Sequence, residues 1–235
     1  MYERTMRRVH GLRPDPGTWW LLGPDPVASL EGSEGSACGW CGKVDFAEER
    51  WEGLVAEDLS AFLYFVSAPR WLPQSGHTLA IDPQLFDVLG LEPLRPFFRE
   101  LPIQALNGEA PSTMLLLVGP AQATPAVPRD FGPSGWRCER CGTHIYADFT
   151  NLSHPRSLVA RSQLGDEPFV FGAARGWLSL AIPASRVRRL EEYSQTRDHL
   201  TPLVPLEDDQ LVAPEALPVI PEVRLADYRP EDVSH

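Results

Sequence analysis

The chain places all of its cysteines in two short motifs with the same spacing, Cys-x-x-Cys-Gly. The residues concerned are Cys38, Cys41 and Gly42 in the first motif and Cys138, Cys141 and Gly142 in the second. A tight turn that carries thiolates three residues apart directs both sulfurs to one point, about 2.3 Å from a tetrahedral zinc ion. The glycine has no Cβ, so it can adopt a positive φ and let backbone N–H groups approach the sulfurs. Each motif, called a knuckle below, therefore has the chemistry of half a metal site.

A complete tetrahedral site needs four ligands, and one knuckle supplies two. The simplest closure brings both knuckles to one zinc ion, with ligands Cys38, Cys41, Cys138 and Cys141. Four thiolates leave no position for water or substrate, so zinc in such a site is normally structural. The cysteines thus predict a metal that holds the fold together and takes no part in catalysis.

Three other interpretations of the cysteines stay open. Two disulfides are conceivable, but a chain of 235 residues can bury a core without them and its first residues show no secretion signal. A redox pair at Cys38 and Cys41 should open a helix after a strand, whereas a Gly/Ser-rich segment, residues 31–37, precedes it. In the third interpretation the knuckles hold no metal, or His144 replaces one sulfur.

Charge and composition favour a protein partner over nucleic acid. The formal charge is −11, from 32 acidic and 21 basic side chains, which disfavours a grip on phosphate backbones and suits a basic partner. Residues 1–13 are not followed by an apolar run, and no apolar segment approaches membrane-spanning length. We therefore expect a cytoplasmic protein that does not contact membranes and that rarely, if ever, binds nucleic acid.

The hydrophobic pattern predicts an α+β fold of short mixed or antiparallel strands with few helices, in which the two knuckles form a zinc-ribbon-like structural site. The 24 prolines favour short elements and many turns. Strands are predicted at residues 18–22, 78–81, 113–118, 143–149, 168–171 and 177–182. Asp82 as N-cap and Pro83 at the first helical position predict a helix over residues 84–89 that Gly90 ends. Helices are also predicted at residues 54–66, where helix is preferred to strand, and at 183–193.

The domain organisation predicted is one α+β domain, residues 1–205, followed by an acidic, proline-rich arm, residues 206–235. A further hypothesis divides the domain into two similar halves, about 30–120 and 130–205. It rests on two tripeptides, Leu79-Ala80-Ile81 and Leu180-Ala181-Ile182, which follow their knuckles at similar distances. Both run into a predicted helix with proline near its start.

No catalytic motif stands out. The sequence contains no Gly-x-Ser-x-Gly, no Gly-x-x-x-x-Gly-Lys and no His-Glu-x-x-His. We therefore expect a protein that is not an enzyme. An enzyme whose residues assemble only in the fold is the rival hypothesis, and it would place His77, His144 or His154 in a cleft beside carboxylates.

The two knuckles, in an acidic and proline-rich chain of this length, resemble the double-CXXCG family of myxobacterial paralogues, which includes immunity proteins to swarm-inhibition toxins. The resemblance extends in layout to residues 78–89 and 168–193, and residue by residue only to the cysteines and glycines of the knuckles. It implies a non-catalytic immunity protein with structural zinc that binds and blocks a cognate toxin, which the charge of the chain predicts to be basic.

Two sets of residues bear on what the protein would bind. For a toxin partner, the pool of aromatic anchors is Trp19, Trp20, Trp51, Trp71 and Trp177, and the acidic segment 45–58 is either a solvated face or a landing patch. The alternative function is a zinc-ribbon accessory protein of nucleic acids or transcription. It predicts one basic face around Arg137, Arg140, Arg186, Arg188 and Arg189.

Overall fold

The computed structural model shows a mostly β protein with few helices, and it describes most of the chain. The residues described are 17–22, 27–32, 38, 45–47, 51–67, 76–126, 129, 135–138, 140, 144–146, 158–172, 177–187, 189, 200–212 and 219–220. The strands are β1 (Trp19–Leu22), β2 (Val27–Gly32), β3 (Trp51–Ala56), β4 (Leu63–Ser67), β5 (His77–Ile81), β6 (Phe98–Ala105), β7 (Ser112–Leu117), β8 (Gly135–Cys138), β9 (His144–Tyr146), β10 (Leu158–Ala160), β11 (Phe169–Gly172), β12 (Leu178–Pro183), β13 (Leu200–Pro202), β14 (Val204–Leu206) and β15 (Val219–Ile220). The α-helices are α1 (Pro83–Val88) and α2 (Ala184–Val187), and short 3-10 helices lie at Glu92–Phe97, Arg161–Gln163 and Asp208–Gln210.

Six strands close a barrel in the order β2-β3-β6-β7-β5-β4. The pairs β2·β4 and β3·β6 are parallel, and the other four are antiparallel. Alternate residues along each strand point to the same side, and the paired positions identify one face on which most residues are buried. Its buried residues are Ala28, Leu30, Leu54, Ala56, Tyr64, Val66, Thr78, Ala80, Leu101, Ile103, Met114 and Leu116. At its ends Arg99 and Ala105 are half-buried and Ser112 is exposed. The barrel interior is therefore filled with mainly apolar side chains.

A four-stranded sheet, in the order β11-β12-β1-β13, packs against the barrel. On one face its side chains, including Trp20, Leu180 and Ile182, join the same hydrophobic cluster as the barrel residues. On the other face Trp19, Phe171 and neighbouring residues form a second, smaller cluster. Both faces are thus buried, which explains why these strands read as continuous apolar runs in the sequence.

The predicted strand and helix around Asp82 are confirmed. Its carboxylate accepts hydrogen bonds from the backbone N–H groups of Gln84 (2.7 Å) and Leu85 (3.3 Å), and Pro83 opens α1. Gly90 follows the end of the helix with φ +63°, which L residues with a Cβ rarely adopt. The predicted strands near residues 18–22, 113–118, 168–171 and 177–182 are also present, within a residue or two of their expected ends.

The helix preferred for residues 54–66 is wrong. These residues end β3, turn at 57–62 and begin β4. The run contains aromatic and β-branched residues that suit a pleated strand, and the partners that decide between helix and strand, β2, β5 and β6, are distant in sequence. The helix predicted over residues 183–193 is described as α2 over Ala184–Val187. Residues 188 and 190–199 lie outside the described part.

The last segment of the chain pairs with other elements where it is described. In β14, Val204–Leu206 pairs in parallel with β10, and in β15, Val219–Ile220 pairs in parallel with β8. Of the predicted acidic arm, residues 206–235, Leu206 ends β14 and Val219–Ile220 form β15, and residues 213–218 and 221–235 lie outside the described part.

Candidate metal centre

The first cysteines of the two knuckles meet in the fold. The Sγ atoms of Cys38 and Cys138 are 3.9 Å apart, and the side chains are only 6% and 4% exposed. Since 100 residues separate them in the chain, the contact is a product of tertiary structure.

One cysteine ends a strand, and the other lies in a connection between strands. Cys138 is the last residue of β8, which lies between β9 and β15 in a three-stranded sheet. Cys38 lies in the connection between β2 and β3. Further along that connection, the ring of buried Phe46 packs on Trp51 at the start of β3, with 6.1 Å between ring centroids. Each knuckle thus belongs to a connection between antiparallel strands.

The separation of the two sulfurs fits a shared tetrahedral ion. With zinc–sulfur bonds of about 2.3 Å, two sulfurs on one tetrahedron lie about 3.8 Å apart. An S–S bond is about 2.05 Å long, roughly half the separation found. Two thiolates this close in a buried place would repel each other, and a dication between them would remove that repulsion. As thiols, the two side chains can share an S–H···S hydrogen bond at this distance.

The other predicted ligands are not placed. Cys41 and Cys141, with Gly42 and Gly142, lie outside the described residues, and of His144 only its position in β9 is described. Among the described residues no group of three or more His, Cys, Asp or Glu side chains is arranged so that it could hold a metal ion. The structure therefore brings two of the four predicted ligands together.

Four of the five tryptophans in the pool of aromatic anchors are buried, which removes them from that pool. Trp19, Trp20, Trp51 and Trp177 are between 5% and 9% exposed. Their rings pack in the two hydrophobic clusters, on both faces of the four-stranded sheet and at the start of β3. Trp71 lies outside the described residues.

Two arginines of the predicted basic face make contacts within the protein. Arg186 donates from Nη1 to the carbonyl of Leu89 (2.8 Å), and Arg189 donates to the carbonyl of Val88 (3.0 Å). Both carbonyls lie at the C-terminus of α1, where positive charge is favourable. Arg186 also pairs with Glu167 at 3.2 Å. Arg140 is exposed, Arg188 lies outside the described residues, and of Arg137 only the backbone is described. These contacts give Arg186 and Arg189 a structural role.

The histidine that is described in full lies among aromatic rings. The His77 ring is 4.8 Å from that of Phe65 and 6.0 Å from that of Trp177, centroid to centroid. His154 lies outside the described residues. The structure thus places His77 at the junction of barrel and sheet, in an aromatic stack.

At one end of the barrel, two loops form what we call the acidic rim, residues 57–61 after β3 and 106–110 after β6. A carboxylate oxygen of Glu109 accepts a hydrogen bond from the backbone N–H of Leu59 (3.0 Å), which joins the loops. The carboxylate of Asp58 accepts bonds from the hydroxyl and the backbone N–H of Ser60, and these bonds lower the pKa of Asp58 below its usual value. The anionic groups of the rim are therefore held in place.

The barrel face next to the rim is open. Outward side chains on β2 and β6, including Val27, Glu31 and Gln104, are exposed. On β5 and β7, by contrast, the outward side chains of Leu79, Ile81, Leu115 and Leu117 are buried. Val27 is 56% and Leu106 77% exposed, and with Val204 they are the exposed large apolar side chains of the described residues. Sequence patterning missed Leu106, because a single apolar residue in a turn carries no periodic signal.

No family model matches the chain, and neither curated proteins nor solved structures gave a match. Within the part of the chain that is described, no helix combines the length and apolar character needed to cross a membrane.

Proposed function

We propose that this chain is an immunity protein of the double-CXXCG kind, which neutralises a cognate basic toxin by binding it and is itself held together by one structural zinc ion. The observation that carries the proposal is the 3.9 Å contact between the buried sulfurs of Cys38 and Cys138. It unites the two motifs on which the resemblance rests, in a geometry that suits a closed four-thiolate site.

The charge distribution supports a basic partner. The chain carries a net −11; the open barrel face exposes Glu31, and the acidic rim exposes Glu57. Glu100 on the same face is paired with Arg95. Carboxylates held by hydrogen bonds pay little ordering entropy on binding, and complementary fields raise the rate of encounter.

The apolar side chains at this end suit the same partner. Leu106 and Val27 could enter pockets of a partner while the surrounding carboxylates meet its basic groups, which is the usual arrangement of an interface centre and its rim. We assign the toxin-binding surface to the open barrel face and the acidic rim.

The test is a binding experiment with the product of the neighbouring gene in the host genome, because an immunity gene should lie beside its toxin gene. We expect a one-to-one complex that weakens as salt is raised. Leu106→Arg should lower the affinity at least tenfold, whereas Val204→Arg, a matched change at an exposed valine on β14, should leave it within twofold.

Three outcomes would each count against one part of the proposal. If both variants bound the toxin as tightly as the unchanged protein, the toxin-binding surface would lie elsewhere, and the proposed function would stand. Binding of nucleic acid instead of a basic protein would favour the accessory-protein alternative. Purified protein without zinc, measured by elemental analysis, would remove the metal from the proposal.

A further inference from the structure

We infer that the chain consists of two tandem copies of one structural unit that have exchanged their first strands, with the metal site on the approximate twofold axis between them. The first unit runs from β1 to β6, residues 18–106, and the second from β7 to β14, residues 113–206. The statement about the metal rests on the proposed zinc site, whereas the duplication stands on strand pairing alone.

The central strands of the two units pair in the same register. Tyr64 lies opposite Ala80 in β4·β5, and Phe169 lies opposite Ala181 in β11·β12. The tripeptide Leu-Ala-Ile occupies equivalent places in β5 and β12, and each strand leads through a proline into a helix, α1 or α2. Strand, turn and helix therefore recur in the same order and register.

The first strands of the units correspond in sequence and are exchanged in space. Residues 18–24 read Thr-Trp-Trp-Leu-Leu-Gly-Pro, and residues 113–120 read Thr-Met-Leu-Leu-Leu-Val-Gly-Pro. Leu21 of β1 pairs with Ala181 of the second unit, and Leu116 of β7 pairs with Ala80 of the first unit. Each unit thus completes its sheet with the opening strand of the other.

The outer strands follow the same plan. β6 lies antiparallel beside β7, and β13 lies antiparallel beside β1, with Phe98 opposite Leu117 and Leu200 opposite Leu22. The tripeptide Leu-Val-Ala forms the end of β3 and the whole of β10. In the first unit β3 is parallel to β6, and in the second unit β10 is parallel to β14. The strands β6 and β13–β14 are therefore equivalent, and so are β3 and β10.

Two buried hydroxyls mark the exchange. Thr78 in β5 donates to the carbonyl of Leu117 (2.6 Å), and Ser179 in β12 donates to the carbonyl of Leu22 (2.8 Å). The two donors hold equivalent positions, and the two acceptors are the last residues of the exchanged strands. Each unit therefore holds the strand of the other with the same hydrogen bond.

Equivalent parts of the units also touch one another, as elements near a twofold axis must. The sulfurs of Cys38 and Cys138 are in contact, β5 and β12 meet at a bridge between His77 and Trp177, and Arg186 of α2 binds the carbonyl that follows α1. The axis passes close to the paired cysteines. A zinc ion there would take Cys38 from one unit and Cys138 from the other.

Hydrogen exchange tests the strand exchange in solution. Ser179→Ala should raise the exchange rate in β1, and Thr78→Val should raise it in β7, so that each variant affects the opening strand of the other unit. The conservative variants Ser179→Thr and Thr78→Ser keep the donor and should leave both strands protected. An effect of Ser179→Ala on β7, or of Thr78→Val on β1, would overturn the exchange.

Cobalt binding tests the position of the metal. Cys38→His and Cys138→His should each bind one Co²⁺ per chain, with the same visible spectrum and the same loss of affinity, because the two positions are related by the axis. Two ions per chain, or two different spectra, would overturn a shared site on the axis. Failure of the unchanged protein to bind Co²⁺ or Zn²⁺ would refute the metal proposal and leave the duplication to the exchange experiment.

Discussion

Cys38 and Cys138 are the described residues of the proposed metal site. Each is buried, and their sulfurs lie where two corners of a zinc–thiolate tetrahedron would lie. Cys138→Ala should lower the free energy of unfolding by several kcal/mol and abolish stoichiometric zinc, because three ligands leave an incomplete site. Chemical denaturation and elemental analysis of the variant measure both effects. Unchanged stability and metal content would contradict the proposed site.

Because of Tyr64, the free energy of unfolding should depend on pH in the alkaline range. Its hydroxyl donates to the carbonyl of Asp58 (2.8 Å), and burial raises the pKa of the phenol above 10.0. The protonated phenol is therefore favoured by folding, so its contribution is complete below pH 10 and is lost as the pH rises through the folded pKa. Tyr64→Phe should cost about 0.5–1.5 kcal/mol at neutral pH and should reduce the alkaline loss. Denaturation of both proteins between neutral and strongly alkaline pH provides the measurement, and an unchanged alkaline slope would contradict it.

At the scale of elements, α1 depends on its N-cap. Asp82→Ala should lower the free energy of unfolding by about 0.5–2 kcal/mol, because two backbone N–H groups lose their acceptor. Asp87→Ala is the control, since Asp87 is an exposed residue of the same helix, and it should change the stability by less than about 0.5 kcal/mol. Equal effects of the two changes in urea denaturation would mean that the cap contributes nothing.

Gly90 links this helix to the second unit. A Cβ at Gly90 would lie 2.0 Å from Nη1 of Arg186, the group that binds the carbonyl of Leu89. Gly90→Ala should therefore strain the positive φ and displace Arg186, at a cost of about 1 kcal/mol or more in thermal or chemical denaturation. Restoration of stability in a Gly90→Ala/Arg186→Ala double variant, relative to Gly90→Ala alone, would assign the loss to the clash.

At the scale of the whole molecule, zinc and strand exchange would couple the two units. Each sheet contains a strand of the other unit, so neither should unfold alone. Removal of the metal by a chelator should lower the midpoint of a single thermal transition and expose all four thiols to a thiol reagent. Two separate transitions, in which one unit melts and the other remains, would contradict the coupling.

The sequence by itself determined the features whose signals are local. The N-cap and proline before α1, the glycine that ends it and the short apolar strands were readable because caps and turns depend on neighbours in the chain. The helix predicted for residues 54–66 is wrong, and which tryptophans are buried could not be predicted, because strand partners and burial are set by residues far away in sequence. The spacing of the knuckles predicts half-sites of a metal centre, and only tertiary structure brings Cys38 to Cys138. The exchange of β1 and β7 cannot be predicted from the sequence either. Two strands of similar sequence can pair within their own unit or with the other unit, and the packing of the whole chain decides which pairing forms.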